Sequence, residues 1–176
     1  MNNWVEAPIA RHHNRELFDC GEVDLNVYLR KYARQNHETG VSRAYVIASP
    51  EEPTKILGYY TLSPASIEFD KVPESARQRL PRYELPVYRL GRLAVDVSMQ
   101  GLGLGRDLFL AASHRCITAA SEVGGVAMLI DAKNARVAEW YERFGAVSVP
   151  ERPLVLIVRL DLIIEALAAR GRERPG

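Results

Sequence analysis

The sequence predicts a mixed α/β fold, and three observations support that prediction. Strand-like segments rich in Val, Ile and Tyr alternate with helix-like segments along nearly the whole chain. Consecutive strands in the first half favour antiparallel pairing, whereas two strand–helix–strand passages in the second half favour some parallel pairing. The length of 176 residues suits one domain and leaves no room for a second.

The first half of the chain is predicted as one helix followed by two strands and a short helix. Leu25, Leu29 and Tyr32 recur at helical spacing, and Gly40 follows them as a stop. Pro64 is expected to break or bulge the second strand. The predicted ranges are a helix over 22–37, strands over 43–49 and 56–69 around a turn at 51–54, and a short helix over 74–80 closed by Pro81.

The second half is predicted as strands and helices in alternation. A glycine-rich turn opens a long helix that runs to about residue 122. Gly145 is expected to end a later helix, and Asp161 to cap the last one. The apolar stripe of the long helix consists of Leu104, Leu108, Ala111, Ala112, Cys116 and Ala119. The predicted strands are 87–96, 126–132, 146–149 and 154–160, and the two later helices are 135–144 and 161–169.

The composition excludes several classes of protein. With 47% hydrophobic and 26% charged residues, the chain is neither disordered, nor a coiled coil, nor collagen-like. Its two cysteines are too few for a disulfide framework, its start lacks the features of a signal peptide, and its apolar runs are too short to span a bilayer. We therefore expect a cytoplasmic protein whose residues 1–170 form the domain and whose residues 171–176 form a polar tail.

The basic residues are mostly arginine, although the net charge is only +1. The chain has 19 Arg and 4 Lys, which a GC-rich genome would also produce. Arginine is better suited than lysine to phosphate and base recognition. Residues 74–92 hold five arginines against two glutamates, a net charge of +3. This cluster favours RNA binding over a merely solvated face.

The strongest chemical signal is the turn Gln100-Gly-Leu-Gly-Leu-Gly105, which lies between a strand and the long helix. Glycines let a ligand approach the backbone, and the free N–H groups of a helix start attract an anion. A phosphate or pyrophosphate is the expected ligand. The dinucleotide fingerprint fails because Arg106 stands where its last glycine should be, and no Walker loop is present. A tight structural turn without a ligand is the alternative.

Two segments together resemble the GCN-related N-acetyltransferases (GNAT). The spacing Gln100-x-x-Gly103-x-Gly105 after a strand is similar to that family's acetyl-CoA signature, and residues 130–146 resemble its later motif of Asn, then Tyr, then Phe-Gly. Val97 stands where the family often has proline, which predicts a less fixed loop. The resemblance implies a mixed, mostly antiparallel sheet with central parallel splayed strands and flanking helices.

A narrower resemblance is to the acetyltransferase toxins of bacterial toxin–antitoxin modules. The segments Phe18–Leu29, Leu90–Asp96, Gln100–Gly105 and Leu129–Lys133 carry it. It implies acetyl-CoA as donor, the α-amine of aminoacyl-tRNA as acceptor, and a block of translation. It also implies a ribbon–helix–helix antitoxin as partner and a homodimer.

The resemblance assigns roles to individual residues. Tyr141 is the candidate acid that protonates the leaving thiolate. Glu68 is a weak candidate base, and none is required, because an α-amine with a pKa of about 7.7–8.0 is partly neutral already. The expected acetyl-CoA contacts are Leu93, Ala94, Val95, Gln100, Gly101, Leu102, Gly103, Leu104, Gly105, Arg106 and Asn134. The expected tRNA contacts are Arg77, Arg79, Arg82, Arg30 and Arg34.

The other polar residues predict little chemistry. His12 and His13 lack further ligands at metal-binding spacing, and His114 is expected on the surface. Cys20 and Cys116 are expected to be packed rather than nucleophilic.

Two alternatives remain open. One is an acetyltransferase of small amines, antibiotics or protein N-termini. An acidic acceptor cleft would favour a polyamine or an aminoglycoside as its substrate, and the basic segments point away from that. The other is a non-catalytic module that senses acyl-CoA, against which the intact glycine turn and Tyr141 argue.

Overall fold

The computed structural model describes the backbone of residues 3–172 and the side chains of residues 3–169. Seven strands form one sheet, mostly antiparallel with one parallel pair, in the order β1-β2-β3-β4-β5-β7-β6, and helices flank it. The strands are β1 (Val5–Pro8), β2 (Arg43–Ala48), β3 (Gly58–Ile67), β4 (Leu85–Val95), β5 (Ala127–Asp131), β6 (Val147–Val149) and β7 (Arg152–Arg159).

Residues 3–172 also contain five α-helices and three 3-10 turns. The helices are α1 (Val23–Lys31), α2 (Ala33–Thr39), α3 (Leu104–Val123), α4 (Ala135–Glu142) and α5 (Leu160–Arg172). The 3-10 turns are Phe69–Lys71, Glu74–Ala76 and Val97–Met99. No helix within residues 3–172 combines the length and the apolar character that crossing a membrane requires. Of the tail predicted at 171–176, the first two residues belong to the end of α5, and residues 173–176 lie outside the described residues.

The chain divides into two compact units, and β3, β4 and α3 each continue from one unit into the other. The first unit runs up to Ser63 and includes Leu90–Ala112, whereas the second holds Pro64–Arg89 and the chain from Ser113 onward. β3 continues through Pro64 without the predicted break. Pro64 is exposed there, where its missing N–H costs least.

The first unit contains an antiparallel sheet edge that the sequence did not predict in full. β1 pairs with β2, Val5 opposite Ala48, and β2 pairs with β3, Arg43 opposite Leu62. Only four residues long, β1 gives too short a pattern to be read from sequence. Its neighbours enclose a buried cluster that includes Phe18, Tyr28, Leu29, Val46 and Tyr59.

The helix predicted over 22–37 is two helices. It is interrupted at Tyr32, whose φ of −121° and ψ of −32° leave the helical range. No Gly or Pro marks the break, which explains why the sequence pattern missed it. Gly40 ends α2 with a φ of +81°, as predicted.

Close packing of α3 in the first unit depends on Gly58. A Cβ at Gly58 would lie 2.8 Å from Leu108 Cδ1 and 3.2 Å from the carbonyl oxygen of Ala94. Leu104 and Leu108 of the predicted apolar stripe are buried. The glycine therefore lets the start of α3 lie directly against the first residue of β3.

The second unit places β7 between β5 and β6. β7 is antiparallel to both, with Leu129 opposite Ile157 and Val147 opposite Ile157 on the other side. The passage β5–α4–β6 therefore does not make a parallel neighbouring pair, because β6 lies at the sheet edge beyond β7. The closing pair of strands predicted at 146–160 is present.

The short helix predicted over 74–80 is a single 3-10 turn, Glu74–Ala76. After it, Arg79 adopts a left-handed backbone with a φ of +62°, which a helix cannot contain. Besides local backbone bonds, Arg159 Nη1 donates to the carbonyls of Ala76 and Gln78, a long-range constraint that no local pattern shows.

Candidate functional site

The glycine turn is an open backbone loop at the start of α3. Gly101 and Gly103 have φ angles of +79° and +86°, and a Cβ at either would meet nothing within 4 Å. Leu102 between them is 60% exposed, so the turn presents backbone rather than packed side chains. The amide of Asp107 makes the first helical bond, to Gly103 O at 3.3 Å. An open backbone with free amides at the N-terminus of a 20-residue helix fits a phosphate-bearing ligand.

Side chains of the predicted cofactor set differ in where they lie. Ala94 and Leu104 are buried, so their side chains pack in the core beneath the loop and are not available to a ligand. Leu93, Val95 and Gly105 are half-buried, and Arg106 is exposed on the first turn of α3.

The buried carboxylate of Asp96 supports the loop. Its Oδ1 accepts hydrogen bonds from Ser98 N at 3.0 Å and Ser98 Oγ at 2.7 Å, and its Oδ2 accepts one from Asp19 N at 3.0 Å. Burial alone would raise the pKa of Asp96, but these hydrogen bonds outweigh it and hold the pKa below its usual value. Asp96 therefore stays ionised and caps the 3-10 turn Val97–Met99.

The segment Phe18–Asn26 packs against this loop through hydrogen bonds. Val97 N donates to Asp19 O at 2.8 Å. Asp19 Oδ1 accepts from Gly21 N and from Asn26 Nδ2, both at 2.8 Å, and Asn26 Oδ1 accepts from Cys20 N at 2.9 Å. The toxin-like Phe-Asp-Cys-Gly motif is therefore a brace for the glycine turn. Sequence reasoning missed this role for Asp19, Asn26 and Asp96.

The loop at Val97, predicted to be less fixed, has a backbone hydrogen bond that a proline could not make. A proline at this position has no N–H, whereas Val97 uses its N–H to bond the Asp19 carbonyl. This hydrogen bond joins the loop at Val97 to the segment Phe18–Asn26.

Gln100 holds the loop with its side chain. Its Nε2 donates to Cys20 O and to Val95 O, both at 2.9 Å. Both amide hydrogens are therefore engaged within the protein, and the carbonyl of Val95 is occupied from this side. Among the predicted cofactor contacts, Gln100 positions the turn rather than offering a free amide.

Tyr141 is one of two buried residues of α4, with 3% of its surface exposed. Its ring contacts Trp140 edge to face at 4.9 Å between centroids, and Trp140 in turn contacts Phe144 at 4.8 Å. Burial raises the pKa of Tyr141 well above its usual value of 10.0. Its phenol is therefore protonated at neutral pH and can act as a proton donor but not as a base.

Asn134, expected to contact the cofactor, caps α4. Its Oδ1 accepts a hydrogen bond from Val137 N at 3.0 Å. This is the ordinary role of Asn before a helix, and it fixes where α4 begins.

Three of the arginines predicted for tRNA lie in the second unit, and they differ in how far the protein itself engages them. Arg77 is structural, since its Nε donates to Val72 O at 2.7 Å and its Nη2 to Asp70 O at 2.9 Å. Arg79 and Arg82 are exposed. The guanidinium of Arg82 lies 6.0 Å from the centre of the Phe69 ring, on which Arg77 also lies at 5.2 Å.

Of the two other predicted arginines, Arg34 in α2 is engaged by its side chain, whereas the bond at Arg30 in α1 is to its backbone. Arg34 Nη1 bonds Glu38 Oε1 at 2.6 Å within α2, and the carbonyl of Arg30 accepts from Arg15 Nη1 at 2.8 Å. Arg30 and Arg34 belong to the first unit and Arg77, Arg79 and Arg82 to the second.

The remaining candidates contribute packing. Cys116 is buried and burial raises its pKa to about 12, so it is not a nucleophile. Cys20 Sγ lies 3.1 Å from Asn26 Oδ1 within the brace. His13 is buried, and burial and then His12 lower its pKa. Glu68 is exposed and pairs with Lys71. Within the described part of the chain no three His, Cys, Asp or Glu side chains group as metal ligands.

Comparison with known proteins reveals close relatives, although no family model matches the chain. A tRNA-acetylating toxin of Mycobacterium tuberculosis (strain ATCC 25618 / H37Rv) is 36% identical over 141 residues, which cover 80% of this chain and 82% of the relative. A solved structure of KacT, a tyrosine-to-phenylalanine variant, is 28% identical with a TM-score of 0.87, and covers 94% of this chain and 99% of its own.

AtaT provides the second structural comparison. Its complex with acetyl-methionyl-tRNAfMet is 28% identical with a TM-score of 0.86, and covers 94% of this chain and 99% of its own. AtaT has also been solved with acetyl-CoA and with the C-terminus of the antitoxin AtaR, in tyrosine-to-phenylalanine form. The fold, the glycine turn before α3 and the identity to the mycobacterial relative agree, and the chain belongs to the tRNA-acetylating toxins of the GNAT superfamily.

Proposed function

We propose that this protein is a toxin that transfers the acetyl group of acetyl-CoA to the α-amine of an aminoacyl-tRNA and thereby blocks translation. The observation that carries the proposal is the open turn of Gly101 and Gly103 at the start of α3, in a chain of the tRNA-acetylating family. The turn provides the donor site, and the family indicates the acceptor. We further propose that residues 1–170 act as one catalytic domain.

The donor site is built from backbone. Acetyl-CoA supplies an acetyl group activated as a thioester. The amides of residues 101–105 and the positive end of the α3 dipole fit its pyrophosphate. Residues 93–95 of β4 would bond its pantetheine arm as a neighbouring strand does, and a backbone N–H near Val95 would stabilise the negative charge that develops on the carbonyl oxygen.

The acceptor needs little help to lose its proton. An α-amine has a pKa of about 7.7–8.0, and the neighbouring ester of aminoacyl-tRNA lowers it further. Attack therefore proceeds without a strong side-chain base, in keeping with an exposed Glu68 that is paired with Lys71 at 3.4 Å. A lysine side chain, with a pKa of about 10.4, would require a base that the site does not offer.

Tyr141 is the proposed acid for the departing thiolate. Its burial raises its pKa, so the phenol carries its proton at neutral pH but is a weaker acid than an exposed tyrosine. A phenol is a weaker acid than a thiol, so transfer depends on placing Oη beside the sulfur. Solved relatives that carry a tyrosine-to-phenylalanine change are in keeping with a tyrosine of special interest in this family.

The proposed partners follow from the family. AtaT and KacT have been solved in the complexes AtaTR and KacTA. We propose that the present toxin is neutralised by a ribbon–helix–helix antitoxin, works as a homodimer, and acts in the cytoplasm, where aminoacyl-tRNA is found. A short reading frame for such an antitoxin beside the gene would support this.

A product analysis tests the function. Purified protein is incubated with acetyl-CoA and a pool of aminoacyl-tRNAs, and the amino acids released from tRNA are examined by mass spectrometry. Acetyl on the α-amine of one or more amino acids is expected. Uncharged tRNA and α-formylated aminoacyl-tRNA are the controls and should remain unmodified. Acetylation of a small amine or a protein N-terminus, with aminoacyl-tRNA untouched, would contradict the proposal.

A further inference from the structure

The segment between β3 and β4 presents an aromatic ring that no contact within the protein explains. Tyr83 is 66% exposed, and within the described residues it has no hydrogen bond and no ring contact. Arg79, close by on the same loop, is also exposed and has no partner there. Burial and internal bonding therefore account for neither side chain.

This loop is held in place despite its exposure. Arg159 Nη1 donates to the carbonyls of Ala76, at 3.4 Å, and Gln78. Leu80 packs against the core of the second unit, and Ser66 Oγ bonds the carboxylate of Glu84 at the other end. The loop is anchored before Arg79 and after Tyr83. Because folding already orders the loop, a ligand that binds there loses little further conformational entropy of the loop.

An exposed ring on a loop that also carries exposed arginines suits unpaired nucleic acid. Bases stack on aromatic faces whatever their sequence, and arginines bind the adjoining phosphates. A duplex could bind the arginines through its phosphates, but its bases are stacked on each other and could not stack on the tyrosine ring. Residues 74–84 hold three arginines against two glutamates, so the loop keeps a net charge of +1.

We propose that Tyr83 stacks on a base of the unpaired 3′ end of the acceptor tRNA, with Arg79 and Arg82 on the flanking phosphates. The inference rests on the proposed function, since it names the part of that substrate which this loop binds. The reactive amine is attached to the 3′ end, so a grip on this strand would raise affinity for the part of the substrate that reacts. Tyr83 is a binding residue and takes no part in the chemistry.

Binding of two RNAs tests the stack. The probes are uncharged tRNA and the same tRNA without its unpaired 3′ nucleotides. Tyr83→Ala should weaken binding of intact tRNA about 5- to 100-fold, the loss of one stacked base, and should leave the truncated tRNA unaffected. Tyr83→Phe should bind like the parent, because the ring remains. Val123→Ala is the control, since this side chain is 80% exposed at the end of α3 and belongs to no predicted binding set, and it should bind both RNAs like the parent.

Three results would overturn the stack. Tyr83→Ala could bind intact tRNA as tightly as the parent, it could lose equal affinity for both RNAs, or Tyr83→Phe could fail as badly as Tyr83→Ala. Thermal melting of each variant guards against a folding defect. The parent's acetylation of aminoacyl-tRNA is measured separately. A parent that grips the 3′ end without acetylating it contradicts the proposed function and leaves the stack standing.

Discussion

The two compact units stabilise their candidate binding loops by opposite chemistry. In the first unit the glycine turn is braced by a buried carboxylate that accepts amide and hydroxyl hydrogens, and by the side-chain amide of Gln100. In the second unit the Arg77–Tyr83 loop is braced by guanidinium groups that donate to backbone carbonyls. The brace of the first loop includes an anionic side chain that accepts hydrogen bonds, whereas the brace of the second loop uses cationic side chains that donate them.

The comparison separates residues of the same type. Arg77 and Arg79 stand two positions apart, yet Arg77 is tied into the fold and Arg79 is exposed and without a partner among the described residues. Gly103 and Gly58 likewise differ. A Cβ at Gly103 would meet open space, whereas a Cβ at Gly58 would lie 2.8 Å from Leu108 Cδ1. A residue's type suggests a ligand, and its neighbours decide whether it is available for one.

The largest effect is expected from a change at Tyr141 in the second unit, and it should fall on the rate of acetyl transfer alone. Tyr141→Phe removes one hydroxyl and keeps the ring, so packing against Trp140 should survive. Loss of a positioned acid should lower the acetyl-transfer rate about 10²- to 10⁴-fold while acetyl-CoA binding and melting stay normal. Single-turnover kinetics and calorimetry measure this. A variant that melts early yet still acetylates at the parental rate would show that Tyr141 only fills the core.

A change in the glycine turn should act on donor binding instead. Gly103→Val adds a β-branched side chain to a left-handed position, where it both strains the backbone and obstructs the open turn. Acetyl-CoA affinity should fall about 10- to 100-fold, the loss of hydrogen bonds to a charged ligand. Gly40→Val is the matched control, because Gly40 has a φ of +81° and equally open surroundings at the end of α2. Equal acetyl-CoA affinity in both variants would refute the assignment of the turn.

Charge reversal should separate the arginines. Changing Arg79 and Arg82 together to Glu should lower tRNA affinity roughly tenfold and reduce the slope of log affinity against log salt by about one for each arginine. Acetyl-CoA affinity should not change. Arg77→Gln loses two bonds to carbonyls and should mainly destabilise the fold, by about 1–3 kcal/mol. If Arg77→Gln alone flattened the salt dependence with normal melting, the division between structural and free arginines would be wrong.

The smallest effect should come from the brace itself. Asp96→Asn puts an amide N–H₂ against a hydrogen-bond donor, either Asp19 N or Ser98, so we expect a loss of about 1–3 kcal/mol of stability and a few-fold loss in acetyl-CoA affinity. The folded pKa of Asp96 lies below its usual 3.8, so its ionised form stabilises the fold above that value. This stabilisation disappears as pH falls through the lowered pKa. Melting curves against pH should therefore show the parent and variant converging in acid, whereas a constant gap would contradict the role of the charge.

The elements with strong local signals were predicted well. The glycine turn and α3 were placed from spacing alone, since strand, glycines and helical stripe are consecutive in sequence. β1, the break at Tyr32 and the Arg77–Arg79 loop were missed or misplaced because long-range bonds define them. The Asp96-x-Ser98 pattern is a local signal that could have revealed a capped turn. Nothing local could have paired Asp96 with Asp19, which lies 77 residues earlier.

The sequence by itself determined the mixed α/β class, the place of the glycine turn before the long helix and, through its motifs, the family. These depend on residues that are neighbours in the chain, where spacing and residue type suffice. The tertiary structure alone decided that the Phe18–Asn26 segment braces the turn, that Gln100 and Asn134 use their side chains within the protein, and that Tyr83 and Arg79 stay exposed and without a partner among the described residues. A hydrogen-bonding group is satisfied by whichever partner folding brings near, and that partner need not be close in sequence.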